Sequence, residues 1–157
     1  MKKINTCNLF FIILLFLNLF LISKIAANED NFFLSLKNQE VNLRQGPSFE
    51  YPIKFTYKKR YLPIIIIDKS EAWRKIKDFE NNSGWIHISQ LSKKKSAINI
   101  KNNSILYKKS TIYSKPIAKL ETGRLVLIKK CKVEWCKITS GKYNGWIEKN
   151  YLWGKIN

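Results

Sequence analysis

One motif occurs twice in this chain, and it limits the fold more than any other feature. Gly84-Trp85-Ile86-His87-Ile88-Ser89-Gln90-Leu91 is matched by Gly145-Trp146-Ile147-Glu148-Lys149-Asn150-Tyr151-Leu152, both reading Gly-Trp-Ile, four residues, Leu. Trp73 stands twelve residues before Trp85, and Trp135 stands eleven before Trp146; both open Trp-x-Lys-Ile. Val41 precedes Pro52-Ile53 by the same offset as Ile105 precedes Pro116-Ile117. Three landmarks in one order at near-equal spacing define two tandem copies, about 38–92 and about 101–154, each one small structural unit.

Within each copy the pattern is that of strands. Tyr61-Leu62-Pro63-Ile64-Ile65-Ile66-Ile67 and Leu125-Val126-Leu127-Ile128 are short apolar runs. Trp73-Arg74-Lys75-Ile76-Lys77 and Trp135-Cys136-Lys137-Ile138-Thr139 alternate, which places one face inward and one outward. Gly46-Pro47-Ser48, Asp68-Lys69-Ser70, Asn81-Asn82-Ser83-Gly84, Ser140-Gly141 and Asn144-Gly145 punctuate the runs as turns. No stretch after residue 30 sustains a helical period. An all-β chain of two small, closed or nearly closed barrels follows, and closure would hide the edges of so isoleucine-rich a chain. The domains read as 28–95 and 96–157, with residues 32–36 adding a first strand and residues 97–101 linking into the second barrel.

The N-terminus reads as an export signal spanning 1–27. Lys2 and Lys3 precede a 14-residue run from Leu9 to Ile22, apolar except for Asn18, and Ala26-Ala27 offers a small-residue exit. The run is shorter than the roughly 20 residues that span a bilayer; an uncleaved anchor is the alternative. Cys7 lies ahead of the run and would leave with it. Cys131 and Cys136 then remain, in an exported setting where disulfides persist. They bracket a tight turn between two strands, so a Cys131–Cys136 disulfide is expected. A redox pair would favour Cys-x-x-Cys, and a metal site would need more ligands than the single, sequence-distant His87 supplies.

The repeat resembles the bacterial SH3-like domain. The residues that carry the likeness are Val41-Asn42-Leu43-Arg44-Gln45-Gly46-Pro47-Ser48, then Tyr51-Pro52-Ile53, the Trp73 strand, and the closing Gly84 to Leu91. In the second copy Tyr107-Lys108-Lys109-Ser110-Thr111 replaces the Leu-Arg-x-Gly-Pro opening, and the pattern returns at Pro116, Trp135 and Gly145-Trp146. The resemblance implies SH3-like barrels and a cell-wall targeting role, with peptidoglycan or another envelope protein as partner. It implies exposed aromatics in grooves between loops, for which Tyr51, Tyr57, Tyr113, Tyr143 and Tyr151 are the candidates.

Residue chemistry adds roles of its own. Arg44 can hold loop carbonyls or a carboxylate through its planar fork. Gly46 and Pro47 would shape the loop, Gly84 and Gly145 the hairpin turns before the tryptophans. Trp73, Trp85, Trp135 and Trp146 are expected in the two small cores, and His87 on a strand surface. No nucleophile, phosphate-loop or zinc-protease motif is present, so a non-enzyme without metal or cofactor is expected. The formal charge is +18, from 29 basic and 11 acidic residues. Without Lys2, Lys3 and Lys24 it is +15 (18 minus 3). Such a surface favours anionic partners, although A- and T-rich coding also yields lysine, isoleucine and asparagine. An anionic membrane surface, through Lys93-Lys94-Lys95 or Lys58-Lys59-Arg60, is the alternative partner, as is a structural place in an envelope complex. Export argues against nucleic acid.

Overall fold

The computed structural model describes residues 32–154 and residue 156. The expected export segment, with Cys7, lies outside the described residues. The described residues belong to one compact unit that holds two seven-stranded antiparallel sheets.

The first sheet comprises β1 (Phe32–Leu36), β2 (Val41–Arg44), β3 (Ile53–Tyr57), β4 (Pro63–Ser70), β5 (Trp73–Lys77), β6 (Ser83–His87) and β7 (Leu91–Ser92). The second comprises β8 (Ser96–Asn99), β9 (Ser104–Tyr107), β10 (Pro116–Leu120), β11 (Leu125–Cys131), β12 (Trp135–Ser140), β13 (Tyr143–Glu148) and β14 (Leu152–Gly154). The spatial order is β3-β2-β6-β5-β4-β1-β7 in the first and β10-β9-β13-β12-β11-β8-β14 in the second, the same topology displaced by seven strands. Single 3-10 turns, Ile88–Gln90 and Lys149–Tyr151, lead into β7 and β14. The all-β, two-copy architecture is as the sequence predicts, but the hydrogen-bonded ladders are not closed: β3 and β7 are edges of one, β10 and β14 of the other.

Strand alternation builds each core. Val41, Leu43, Ile64, Ile76 and Ile86 are fully or almost fully buried in the first copy; Leu106, Val126, Cys136, Ile138 and Ile147 are buried in the second. The predicted linker at residues 97–101 is corrected. Residues 96–99 are β8, whose Ala97 and Ile98 pair with Val126 and Leu125, because two adjacent apolar residues here complete the sheet as β1 does in the first copy.

The third landmark is also corrected, by one residue. Arg44 faces Ile53 and Tyr107 faces Pro116, and the next bonds, Gln45 N–H to Pro52 O (3.0 Å) and Lys108 N–H to Lys115 O (2.9 Å), correspond. Val41 is therefore matched by Ser104, and Pro52 by Lys115; the two shifts cancel in the spacing. Apolar matching misses Ser104 because this buried hydroxyl is satisfied by donating to Asn99 Oδ1 at 2.9 Å.

The glycines act differently from the turn roles expected of them. Gly84 and Gly145 lie within β6 and β13. A Cβ there would sit 2.7 Å from the carbonyl oxygen of Arg44 or Tyr107 and 2.7 Å from the Leu43 or Leu106 side chain. They are glycines because β2 and β9 cross them closely, not because of an unusual backbone angle.

The two copies pack on one another. Trp153 of β14 meets Phe33 of β1 edge to face at 5.1 Å and lies 6.3 Å from Phe79. Ile98 of β8 joins the first core cluster, with Leu125 packed against it.

Candidate functional site

Asn42 and Arg44 lie on the side of β2 opposite the buried Val41 and Leu43. Cα pairing sets Trp73 opposite His87 and Lys75 opposite Trp85, on the face away from Ile76 and Ile86. By the same pairing Trp135 stands opposite Glu148 and Lys137 opposite Trp146. All four landmark tryptophans thus sit on the outer face of their sheets. Trp73 and Trp146 are buried there, whereas Trp85 and Trp135 are only half-buried, a correction to their expected place in the cores. Alternation is the reason: Gly-Trp-Ile turns its glycine and isoleucine inward, so the tryptophan faces out.

On the first copy this outer face forms a groove of about 320 Å³ lined by Glu40, Asn42, Arg44, Phe49, Trp73, His87 and Gln90. Its floor is aromatic. Phe49 meets Trp73 edge to face at 4.9 Å and lies 5.5 Å from His87, and Trp73 lies 5.3 Å from His87. Phe49 is nevertheless 64% exposed.

The loop carrying Phe49 (45–52) is fixed by residues the sequence singled out. Arg44 Nη1 donates to Phe49 O at 2.9 Å and to Tyr51 O at 2.8 Å, and the guanidinium lies 5.6 Å from the Phe49 ring centre. Of the two roles open to Arg44, the structure selects the loop carbonyls. Gly46 is required by contact: a Cβ would fall 2.5–2.6 Å from the Tyr51 ring. Pro47 is half-buried beside it. Tyr51 is 47% exposed, but packs on Gly46 outside the groove lining. The sequence reading missed Phe49, whose only signal was its place in a Gly-Pro-Ser-Phe loop, and took His87 for a plain surface residue.

The other tyrosines scatter. Tyr57 is a core residue, and its candidacy for binding is corrected: it is buried and donates to Asp78 Oδ2 at 2.9 Å. Burial, then the Asp78 carboxylate, push its phenol far above the ordinary range. It faces inward because it stands opposite buried Val41 at the end of β3 and joins the same core cluster. Tyr151 is half-buried, with Lys101 Nζ 3.9 Å above its ring. Tyr143 lines a separate hollow of about 240 Å³ with Arg124 and Ser140. Tyr113 projects from the 108–115 loop of the second copy.

The second copy does not repeat the groove. Loops 45–52 and 108–115 are equally long and share a serine–threonine turn, Ser48 Oγ accepting from Glu50 N–H and Thr111 Oγ1 from Tyr113 N–H. Tyr107 replaces Arg44 and packs edge to face on Trp135 at 5.8 Å. Ile112 stands for Phe49 and Glu148 for His87. Cys131 and Cys136 are directly paired across β11 and β12, with Cα atoms 4.0 Å apart, and form the expected disulfide.

The bacterial SH3 domain model matches residues 37–93 and again residues 101–154. The chain belongs to the bacterial SH3 domain family. The two matches cover β2 to β7 and β9 to β14, leaving β1 and β8 ahead of each. No curated protein matches the sequence. Similar solved structures include NlpC2 from Trichomonas vaginalis, at 13% identity and a TM-score of 0.37, covering 78% of this chain and 48% of that one. NlpC1 from the same organism gives 12% identity and a TM-score of 0.37 over 84% and 49% of the two chains. An NlpC/P60 family protein from Bacillus cereus gives 12% and 0.35 over 78% and 56%. This chain thus spans about half the length of those proteins, and likeness at these scores carries no activity across. No helix among the described residues is long and apolar enough to cross a membrane.

Proposed function

We propose that this pair of bacterial SH3 domains is an exported, non-enzymatic binding module of the cell envelope that takes peptidoglycan, or the peptide of an envelope protein, in the groove of its first copy. The observation that carries the reading is the aromatic floor of the groove, exposed Phe49 packed on buried Trp73 and beside half-buried His87, next to the polar edge of Glu40, Asn42 and Gln90. Aromatic faces suit sugar rings and apolar side chains. The carboxylate suits an amine, and the two amides suit peptide groups. Arg44 contributes by holding the loop rather than by charge. The second copy, with Tyr107 packed on Trp135, serves to position the first.

Co-sedimentation of the protein from residue 28 with purified peptidoglycan sacculi, across a salt series, tests this. Saturable binding that survives moderate salt and is lost in Phe49→Ser is expected. Binding that vanishes with salt, or that Phe49→Ser leaves unchanged, overturns the groove as the site.

A further inference from the structure

The second copy carries a surface of a different kind. Its loop 108–115 holds Lys108, Lys109 and Lys115 and no acid, where the matching loop 45–52 of the first copy has Glu50 as its only charged residue. On the same loop Ile112 is 54% and Tyr113 92% exposed. The hairpin end between β11 and β12 carries Val133, 83% exposed, at the place held by Glu71 in the first copy. Two contacts bring these tips together. Lys132 Nζ donates to Ser110 Oγ at 3.4 Å, and Tyr107, just before the loop, packs on Trp135, just after the hairpin end. The Cys131–Cys136 disulfide closes the hairpin end. Lys130 and Lys132 reach over the outer face of Trp146, at 5.9 and 5.0 Å from the ring centre. The two segments therefore present three exposed apolar residues together with five lysines, Lys108, Lys109, Lys115, Lys130 and Lys132, with Glu134 the one acid on them.

We propose that this end of the second copy docks on an anionic lipid surface. Ile112, Tyr113 and Val133 enter the headgroup region while the surrounding lysines pair with lipid phosphates. A soluble polyanion would use the lysines but gain nothing from an exposed valine, isoleucine and tyrosine; a bilayer interface rewards both at once. Tyrosine, apolar in body and polar at its tip, suits that depth. The first copy lacks the arrangement, since Glu50 and Glu71 occupy its corresponding tips. This proposal is independent of the groove.

The test is flotation of the protein from residue 28 with phosphatidylcholine vesicles, with and without phosphatidylglycerol. Binding is expected only with the anionic lipid. Y113S/V133S, which removes apolar surface and no charge, should weaken it by about tenfold or more. K58Q/K59Q/K94Q, which removes three lysines elsewhere, should weaken it far less. Failure to bind anionic vesicles, a Y113S/V133S variant that binds like the parent, or an equal loss from the remote lysines would each overturn the proposal. All substituted positions are exposed, so matching thermal melts check that the fold is kept. F49S distinguishes the two sites, because it should leave vesicle binding intact whatever it does to sacculi.

Discussion

Replacing Asp78 by alanine should cost this protein a large share of its stability. Asp78 follows β5 and is 3% exposed. Its carboxylate accepts from Tyr57 Oη at 2.9 Å, Asn82 Nδ2 at 2.9 Å, Asn82 N–H at 2.8 Å and Glu80 N–H at 3.0 Å. One side chain thus orders the β5–β6 turn and anchors the end of β3. In D78A the groups of Glu80 and Asn82 are only part-buried and can recover water. The Tyr57 hydroxyl is buried and cannot. An orphaned buried donor costs about 1–3 kcal/mol, and each of the three other lost bonds to the carboxylate adds roughly a further 0.5–1.5 kcal/mol once water replaces it, so the total is about 3–7 kcal/mol. That is a substantial fraction of the roughly 5–15 kcal/mol that holds a domain folded. Urea denaturation followed by tryptophan fluorescence measures the loss directly. A cycle with Tyr57→Phe sharpens it: the double variant should be better than additive by about 1–2 kcal/mol, since the second change removes the orphan that the first creates. A D78A loss below about 1 kcal/mol, or strict additivity, would refute the reasoning.

Four further outcomes are expected. Tyr57 holds its proton more tightly folded than unfolded, so its contribution is complete below the ordinary phenol value of about 10 and is lost as pH rises above it; Tyr57→Phe should flatten that alkaline fall in a pH series of melts. Ile86→Ala should cost about 2–5 kcal/mol and Trp85→Ala clearly less by chemical denaturation, because Ile86 faces the core and Trp85 the outer surface. Mass spectrometry should find no free thiol at Cys131 or Cys136 in the oxidised protein, and reduction should lower stability by about 2 kcal/mol or less, given the small loop that is closed. Trp153→Ala removes the ring between Phe33 and Phe79, and calorimetry should then resolve two transitions where the parent shows one.

The sequence by itself determined the number of copies, the strand class, the family and the disulfide. Each depends on local pattern: a repeated Gly-Trp-Ile, period-two alternation, and two cysteines across a short turn. It also marked Arg44 and Gly46 as loop determinants, since a fork donor and a missing Cβ are properties of single residues. Tertiary structure decided which side each residue faces. A one-residue change of register exchanges inside for outside, so Trp85 and Trp135, which size alone sends to the cores, lie half-buried on the outer face, and Tyr57 lies within. Phe49 and His87, unremarkable in sequence, become a groove floor because loop 45–52 folds across β5 and β6. Equal spacing between Val41 and Ile105 concealed a shift, since buried Ser104 is satisfied by a neighbour 5 residues away in sequence. The division between the two copies, one with a groove and one with a basic apolar tip, follows from which side chains meet in space, and that meeting is set by strand pairing across the whole sheet.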